Sequence, residues 1–158
     1  YSRQKECGVE LGVSGVTCNI NASLSGIKHL NRLENVLAKM ALKESEFDAV
    51  MLDVFGNLVD CIQSNLFWVK GGSLYTPLLD RAGVQGTLRS RVVREVAGLP
   101  VNIGRYSLAS MLEADEVFIC NSLTGIVPVV ACMGQSFQIG PETLKLQAAT
   151  QNQINEIS

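Results

Sequence analysis

The sequence predicts a mixed α and β domain whose strands are joined by hairpins, not a doubly wound sheet. Three observations lead there. Short runs rich in Val, Ile, Leu and Phe, each of strand length, recur between clusters of turn residues. A few other stretches space their apolar residues at helical period. The two kinds of segment follow one another irregularly, so the strand–helix alternation that a parallel doubly wound sheet needs is missing.

The elements follow in order. Residues 9–13, Val-Glu-Leu-Gly-Val, alternate weakly and predict a strand. Residues 14–25 are small and polar without a period, and predict a loop. Leu30, Leu33, Leu37, Met40 and Ala41 then recur at helical spacing, which predicts a helix over 31–43. Residues 47–52 and 58–61 read as strands around the turn residues of 53–57. Residues 65–69 and 73–76 flank Lys70-Gly71-Gly72, which predicts a hairpin. After a loop over 77–85, Gly86 opens a helix over 87–97 with Val92, Val93 and Val96 on its apolar face. Residues 100–103 suggest another strand, and Ser107 the N-cap of a short helix through Leu112. Residues 116–120 and 126–132 read as strands around the loop 121–125. Pro141 suits the first position of a last helix, expected to fray into the polar tail 147–158.

Composition narrows the function. The 158 residues are 47% apolar and 18% charged, which supplies a packed core and argues against disorder. The net charge of -2 leaves no footprint for nucleic acid or an anionic membrane surface. No apolar run is long enough to span a bilayer, and the polar opening Tyr-Ser-Arg-Gln-Lys-Glu does not read as a signal peptide. The five cysteines are odd in number and never in CxxC spacing, so free thiols in the cytoplasm are expected. With one histidine, His29, neither a zinc centre nor a hydrolase built on a histidine base is expected. The chain opens at Tyr1 and enters an apolar stretch almost at once, and so reads as a piece of a longer polypeptide.

Four segments carry candidate chemistry. In Gly26-Ile27-Lys28-His29-Leu30-Asn31-Arg32-Leu33, a lysine lies between apolar neighbours where a loop enters a helix. Apolar surroundings favour the neutral amine, which can attack a carbonyl. By residue type alone, a solvated lysine is the commoner case. Asp60 ends a strand among Val59, Cys61 and Ile62, where a buried carboxylate needs a cationic partner such as a protonated ring nitrogen. An aspartate in water is the plain alternative. Gly86-Thr87-Leu88-Arg89 opens a helix whose first N–H groups form a cup for phosphate. Many glycine-led helices bind nothing. Asn121-Ser122-Leu123-Thr124-Gly125 offers further donors, or is simply a turn.

Taken together and in order, these segments resemble the class IV pyridoxal-phosphate enzymes, which include branched-chain and D-amino-acid aminotransferases and the aminodeoxychorismate lyases. The family signature reads here as Asp60, Ile62, Asn65, Leu66, Phe67, Leu74, Thr76, Val84, Gly86 and Arg89. The lysine segment, Asn65-Leu-Phe-Trp68 and Asn121-Ser-Leu-Thr-Gly-Ile-Val-Pro-Val129 look most like the lyase branch. The resemblance implies the C-terminal, cofactor-anchoring domain of the D-amino-acid aminotransferase-like fold, a hairpin-rich pseudo-barrel with flanking helices. The resemblance spans roughly residues 9–143 and implies one domain over 1–158, with the family's N-terminal domain absent from the chain. It implies that Lys28 carries pyridoxal 5'-phosphate and moves the proton, and that Asp60 faces the ring nitrogen. Gly86, Thr87, Leu88, Asn121 and Ser122 then hold the phosphate, and no metal takes part. The implied reaction turns 4-amino-4-deoxychorismate into 4-aminobenzoate and pyruvate, a step of folate biosynthesis, in a homodimer. The alternatives are a class IV aminotransferase, or a catalytically silent domain that keeps the fold as an interaction module. Two departures stand out. The family's usual glutamate is Asp60, one methylene shorter, and Leu88 stands where aminotransferases often carry a phosphate-binding threonine.

Overall fold

Alternation along residues 65–70 sets the architecture. Leu66 and Trp68 point to one side of their strand, Phe67 and Val69 to the other, and all four are buried. A strand with two buried faces lies inside a sheet covered on both sides. The computed structural model describes residues 1–18, 32–79 and 86–157, and there it shows a mixed sheet with five helical segments around it.

The strands are β1 (Val9–Cys18), β2 (Asp48–Asp53), β3 (Leu58–Cys61), β4 (Asn65–Lys70), β5 (Ser73–Pro77), β6 (Val101–Gly104), β7 (Glu116–Asn121), β8 (Gly125–Cys132) and β9 (Gln135–Ser136). Their order is β3-β2-β1-β8-β7-β4-β5-β6, with β9 paired to β8. β1 runs parallel to both β2 and β8, and β5 parallel to β6, while the remaining pairs are antiparallel. The sheet curls into a half-barrel, so that β3, at one end of the order, comes back against β4 and β5. The expected mixed class and the β4–β5 hairpin are both present.

The helices are α1 (Ser2–Cys7), α2 (Arg32–Met40), α3 (Thr87–Arg91), α4 (Leu108–Leu112) and α5 (Pro141–Ile157). Without a break, α3 continues into a π-helical turn over Val92–Val96. On the concave side Val9, Leu11, Val50, Leu66, Trp68, Ile119 and Val129 form one core. Phe67, Val69, Phe118 and Cys120 meet Leu88, Val92 and Leu146 of α3, its π turn and α5 in a second. Phe67 and Phe118, paired across β4 and β7, stack with centroids 5.1 Å apart. A third core joins Cys18, Ala49, Met51, Val59 and Ile62 to Ala38 of α2.

Several expectations change. β1 continues to Cys18, through residues expected to be loop, because pairing with β2 resumes at Thr17 after a register shift following Val13. Small residues cannot signal such an interruption. The polar opening forms α1, closed by Gly8 at φ 79 with its N–H bonded to the Gln4 carbonyl. α5 does not fray at 147 but runs to Ile157. Leu146 and Thr150 are buried, and the Gln147 amide donates to the Lys5 and Ile126 carbonyls. Tertiary contacts thus hold a segment whose own composition would not.

Candidate active site

Asp60 owes its position to a bulge. In the β2–β3 pair Leu58 faces Leu52 and Asp60 faces Met51, so Val59 is an extra residue. Val59 and Asp60 therefore share the face of Met51, while Leu58 and Cys61 turn to the concave core. That shared face belongs to the third core, with Cys18 and α2. Burial, then the charges of Asp60, Glu34 and Asp53, push the Cys18 thiol up, so it stays protonated. Lys28 lies in the segment 19–31, outside the described residues, as does His29. The described flanks of that segment, Cys18 and α2, both border the face that carries Asp60.

The cup is assembled from the ends of β4 and β7 and the start of α3. Asn65 Oδ1 accepts from the Gly86 N–H at 3.1 Å, fixing the start of α3. A Cβ on Gly86 would stand 2.6 Å from that oxygen, so the approach requires glycine. The N–H groups of Thr87 and Leu88 belong to the first helical turn, which has no carbonyl partners within the helix. Thr87 Oγ1 lies 2.9 Å from Ser122 Oγ, which joins the helix start to the loop after β7. Both hydroxyls are at the surface. Leu88 is buried and gives the cup backbone only. Asn121 is engaged inside the protein: its Nδ2 donates to the Gln63 carbonyl at 3.0 Å, and its Oδ1 accepts from the Leu123 and Thr124 N–H groups at 2.9 and 2.7 Å. The structure thus brings Gly86, Thr87, Leu88, Asn121 and Ser122 together, with Asn121 shaping the loop.

Arg89 follows directly and is 4% exposed. One of its terminal nitrogens donates to the Pro77 carbonyl at 2.9 Å, and its Nε has no partner among the described residues. Burial lowers its pKa, while the Cys120 and Asp60 charges raise it. The sequence marks this arginine within the signature but gives no sign that it is buried. All five cysteines are free; burial pushes Cys120 up to about 12 and Cys132 up to about 11, so these thiols are not nucleophiles at neutral pH. Among the described residues no cluster of His, Cys, Asp or Glu could hold a metal, and no helix is long and apolar enough to cross a membrane.

The donor set suits one kind of group. Two hydroxyls and helix-opening N–H groups fit a phosphate, and Asp60, whose charge reaches Arg89 of the same helix, fits a cationic ring nitrogen. A buried guanidinium nitrogen with no partner among the described residues, three residues after a glycine held close to Asn65, fits a site shaped around a further polar group. The residues present fit pyridoxal phosphate.

Comparison with known proteins identifies the family. The family model for amino-transferase class IV matches residues 1–132. An aminodeoxychorismate lyase from Vibrio harveyi is 40% identical over 93% of this chain and 57% of its own length. A D-alanine aminotransferase from Bacillus licheniformis is 32% identical over 90% of this chain and 53% of its own. The crystal structure of 4-amino-4-deoxychorismate lyase from Pseudomonas aeruginosa superposes with a TM-score of 0.93 at 36% identity, over 98% of this chain and 58% of that one. The chain therefore spans a little over half the length of these relatives. With its curled mixed sheet, its signature residues and a family match over most of its length, the chain belongs to the class IV aminotransferase family.

Proposed function

We propose that this chain is the cofactor-anchoring C-terminal domain of a pyridoxal-phosphate-dependent lyase that converts 4-amino-4-deoxychorismate into 4-aminobenzoate and pyruvate. The likeness to the two lyases carries the reading, because it extends over nearly the whole chain and exceeds the identity to the aminotransferase. When bound, pyridoxal phosphate supplies an electron sink. Lys28 holds it through its amine and takes up the proton from the substrate carbon. Asp60 pairs with the ring nitrogen. Thr87, Leu88 and Ser122 receive the phosphate, with Gly86 and Asn121 fixing the two loops that present them. The protein acts in the cytoplasm as a homodimer.

A class IV aminotransferase is the second reading, favoured by the D-alanine aminotransferase relative. Leu88 counts against it, since its side chain cannot supply the hydroxyl common in aminotransferases. The test is to incubate the cofactor-loaded protein with 4-amino-4-deoxychorismate and assay 4-aminobenzoate and pyruvate in equal amounts. Amino-group transfer from branched-chain or D-amino acids, with neither product formed, would overturn the lyase reading.

A further inference from the structure

Asp48 opens β2 and is 1% exposed, yet the proposed chemistry does not use it. No described cation forms an ion pair with it. Its carboxylate accepts from its neighbour, the Ala49 N–H, at 2.8 Å, and from the Gln63 N–H at 3.3 and 3.4 Å through its two oxygens. Gln63 belongs to the short connection between β3 and β4, so the buried carboxylate ties the start of its own strand to a loop.

The same connection is tied on every side. The Ile62 N–H donates to the Ala49 carbonyl at 3.0 Å, and the Ile62 carbonyl accepts from Asn35 Nδ2 of α2 at 2.8 Å. The Cys61 N–H donates to the Ser64 carbonyl at 2.8 Å. The Gln63 carbonyl accepts from Asn121 Nδ2 at 3.0 Å, and Ser64 Oγ accepts from the same nitrogen at 3.4 Å. Asn121 then folds the loop that carries Ser122, and Ser122 meets Thr87 at the helix start. The path Asp48–Gln63–Asn121–Ser122–Thr87 is continuous, and the connection also begins two residues after Asp60.

Resting on the functional reading above, we propose that Asp48 is a positioning residue for the cofactor's phosphate: through Gln63 and Asn121 it fixes the loop that sets Ser122 against Thr87. A fully buried acid is a costly way to brace a loop when a neutral side chain would serve for packing. Its two oxygens share the one Gln63 N–H in a bifurcated contact, which a single hydroxyl cannot make.

The test uses the intact protein and compares two probes, pyridoxal phosphate and pyridoxal, which lacks the phosphate. Dissociation constants are read by absorbance for the parent, Asp48→Ala, Asp48→Asn and Asn121→Ala. Asp48→Ala and Asn121→Ala are expected to lose about tenfold or more of the parent's preference for the phosphorylated form, with pyridoxal affinity nearly unchanged. Asp48→Asn keeps one acceptor oxygen and should keep most of the preference. An unchanged preference in Asp48→Ala, or an equal loss for both probes, overturns the proposal while leaving the functional reading in place. If Asp48→Ala fails to fold, Asp48→Leu, which keeps the volume without acceptor atoms, decides by the same ratio. A parent without preference for the phosphorylated probe overturns this proposal and the functional reading together.

Discussion

Lys28 and Asp60 divide the proposed chemistry between an amine and a carboxylate, and each gives a separate expectation. Borohydride reduction of the cofactor-loaded protein should label a peptide containing Lys28, and Lys28→Ala should abolish turnover. Label on the exposed Lys39 or Lys43 alone would reassign the amine. Asp60→Asn keeps the size and removes the charge that pairs with the ring nitrogen. Single-turnover rate should fall by about two to four orders of magnitude, roughly 3–5 kcal/mol of barrier, at equal cofactor occupancy. Asp60→Glu restores the usual family residue and should retain activity. Asp48 gives a third expectation, on stability. Desolvation raises its pKa from 3.8 to about 6, against the hydrogen bonds that favour its ionised form. The folded state therefore binds the proton more tightly than the unfolded chain. The resulting stabilisation is complete below the unfolded value and is lost as pH rises through about 6. Asp48→Asn removes this dependence, so denaturation midpoints of parent and variant should diverge between pH 4 and 6.5, with the parent falling.

At the scale of elements, α5 shows how one buried carboxylate starts a helix. Glu116 Oε1 accepts from the Thr143 N–H and the Thr143 hydroxyl, each at 2.8 Å, and Oε2 from the Glu142 N–H at 3.4 Å. Gly140 passes directly under the same carboxylate, where any Cβ would strike Glu116. Glu116→Ala should cost about 1–2 kcal/mol in chemical denaturation, the usual worth of a helix cap. Gly140→Ala should destabilise as well, by driving the cap off its N–H groups. This arrangement was not legible in the sequence, since the acid comes from β7 and the helix begins more than twenty residues later. What was legible had local causes. Lys70-Gly71-Gly72 marked the hairpin, with both glycines at positive φ, and Ser107 marked a cap that the structure confirms. Likewise the Gly86–Arg89 turn and the loop at Asn121 could be singled out, but not their junction through Thr87 and Ser122. The bulge at Val59 was invisible for a different reason. An extra residue breaks the two-residue period, and the side on which Asp60 emerges depends on the partner strand. The π turn over Val92–Val96 carries the apolar spacing of an ordinary helix and could not be told from one.

At the scale of the molecule, α2 leaves Leu33, Val36, Leu37 and Met40 exposed along one side, although Ala38 is buried in the third core. Apolar surface of that extent is normally covered. This chain in solution is expected to self-associate, and Leu37→Glu with Met40→Lys should lower its apparent mass by light scattering without changing its circular dichroism. Of the architecture, the mixed class and the run of hairpins were readable from patterning. The strand order was not, because patterning states which faces are buried and never which strands adjoin.

That order carries a consequence for how the chain acquires its structure. β1 precedes every other strand of this domain in sequence, yet it lies in the interior of the sheet, with β2 on one side and β8 on the other. Val9 pairs with Val129, near the opposite end of the chain. Pairings so distant in sequence close late and slow the search. While the ribosome is still making the segments between them, β1 keeps one open edge that any strand-like segment could occupy. Nascent chains that stop before β8 should be cut rapidly by proteases and bind chaperones, and resistance should appear abruptly once Cys132 has emerged.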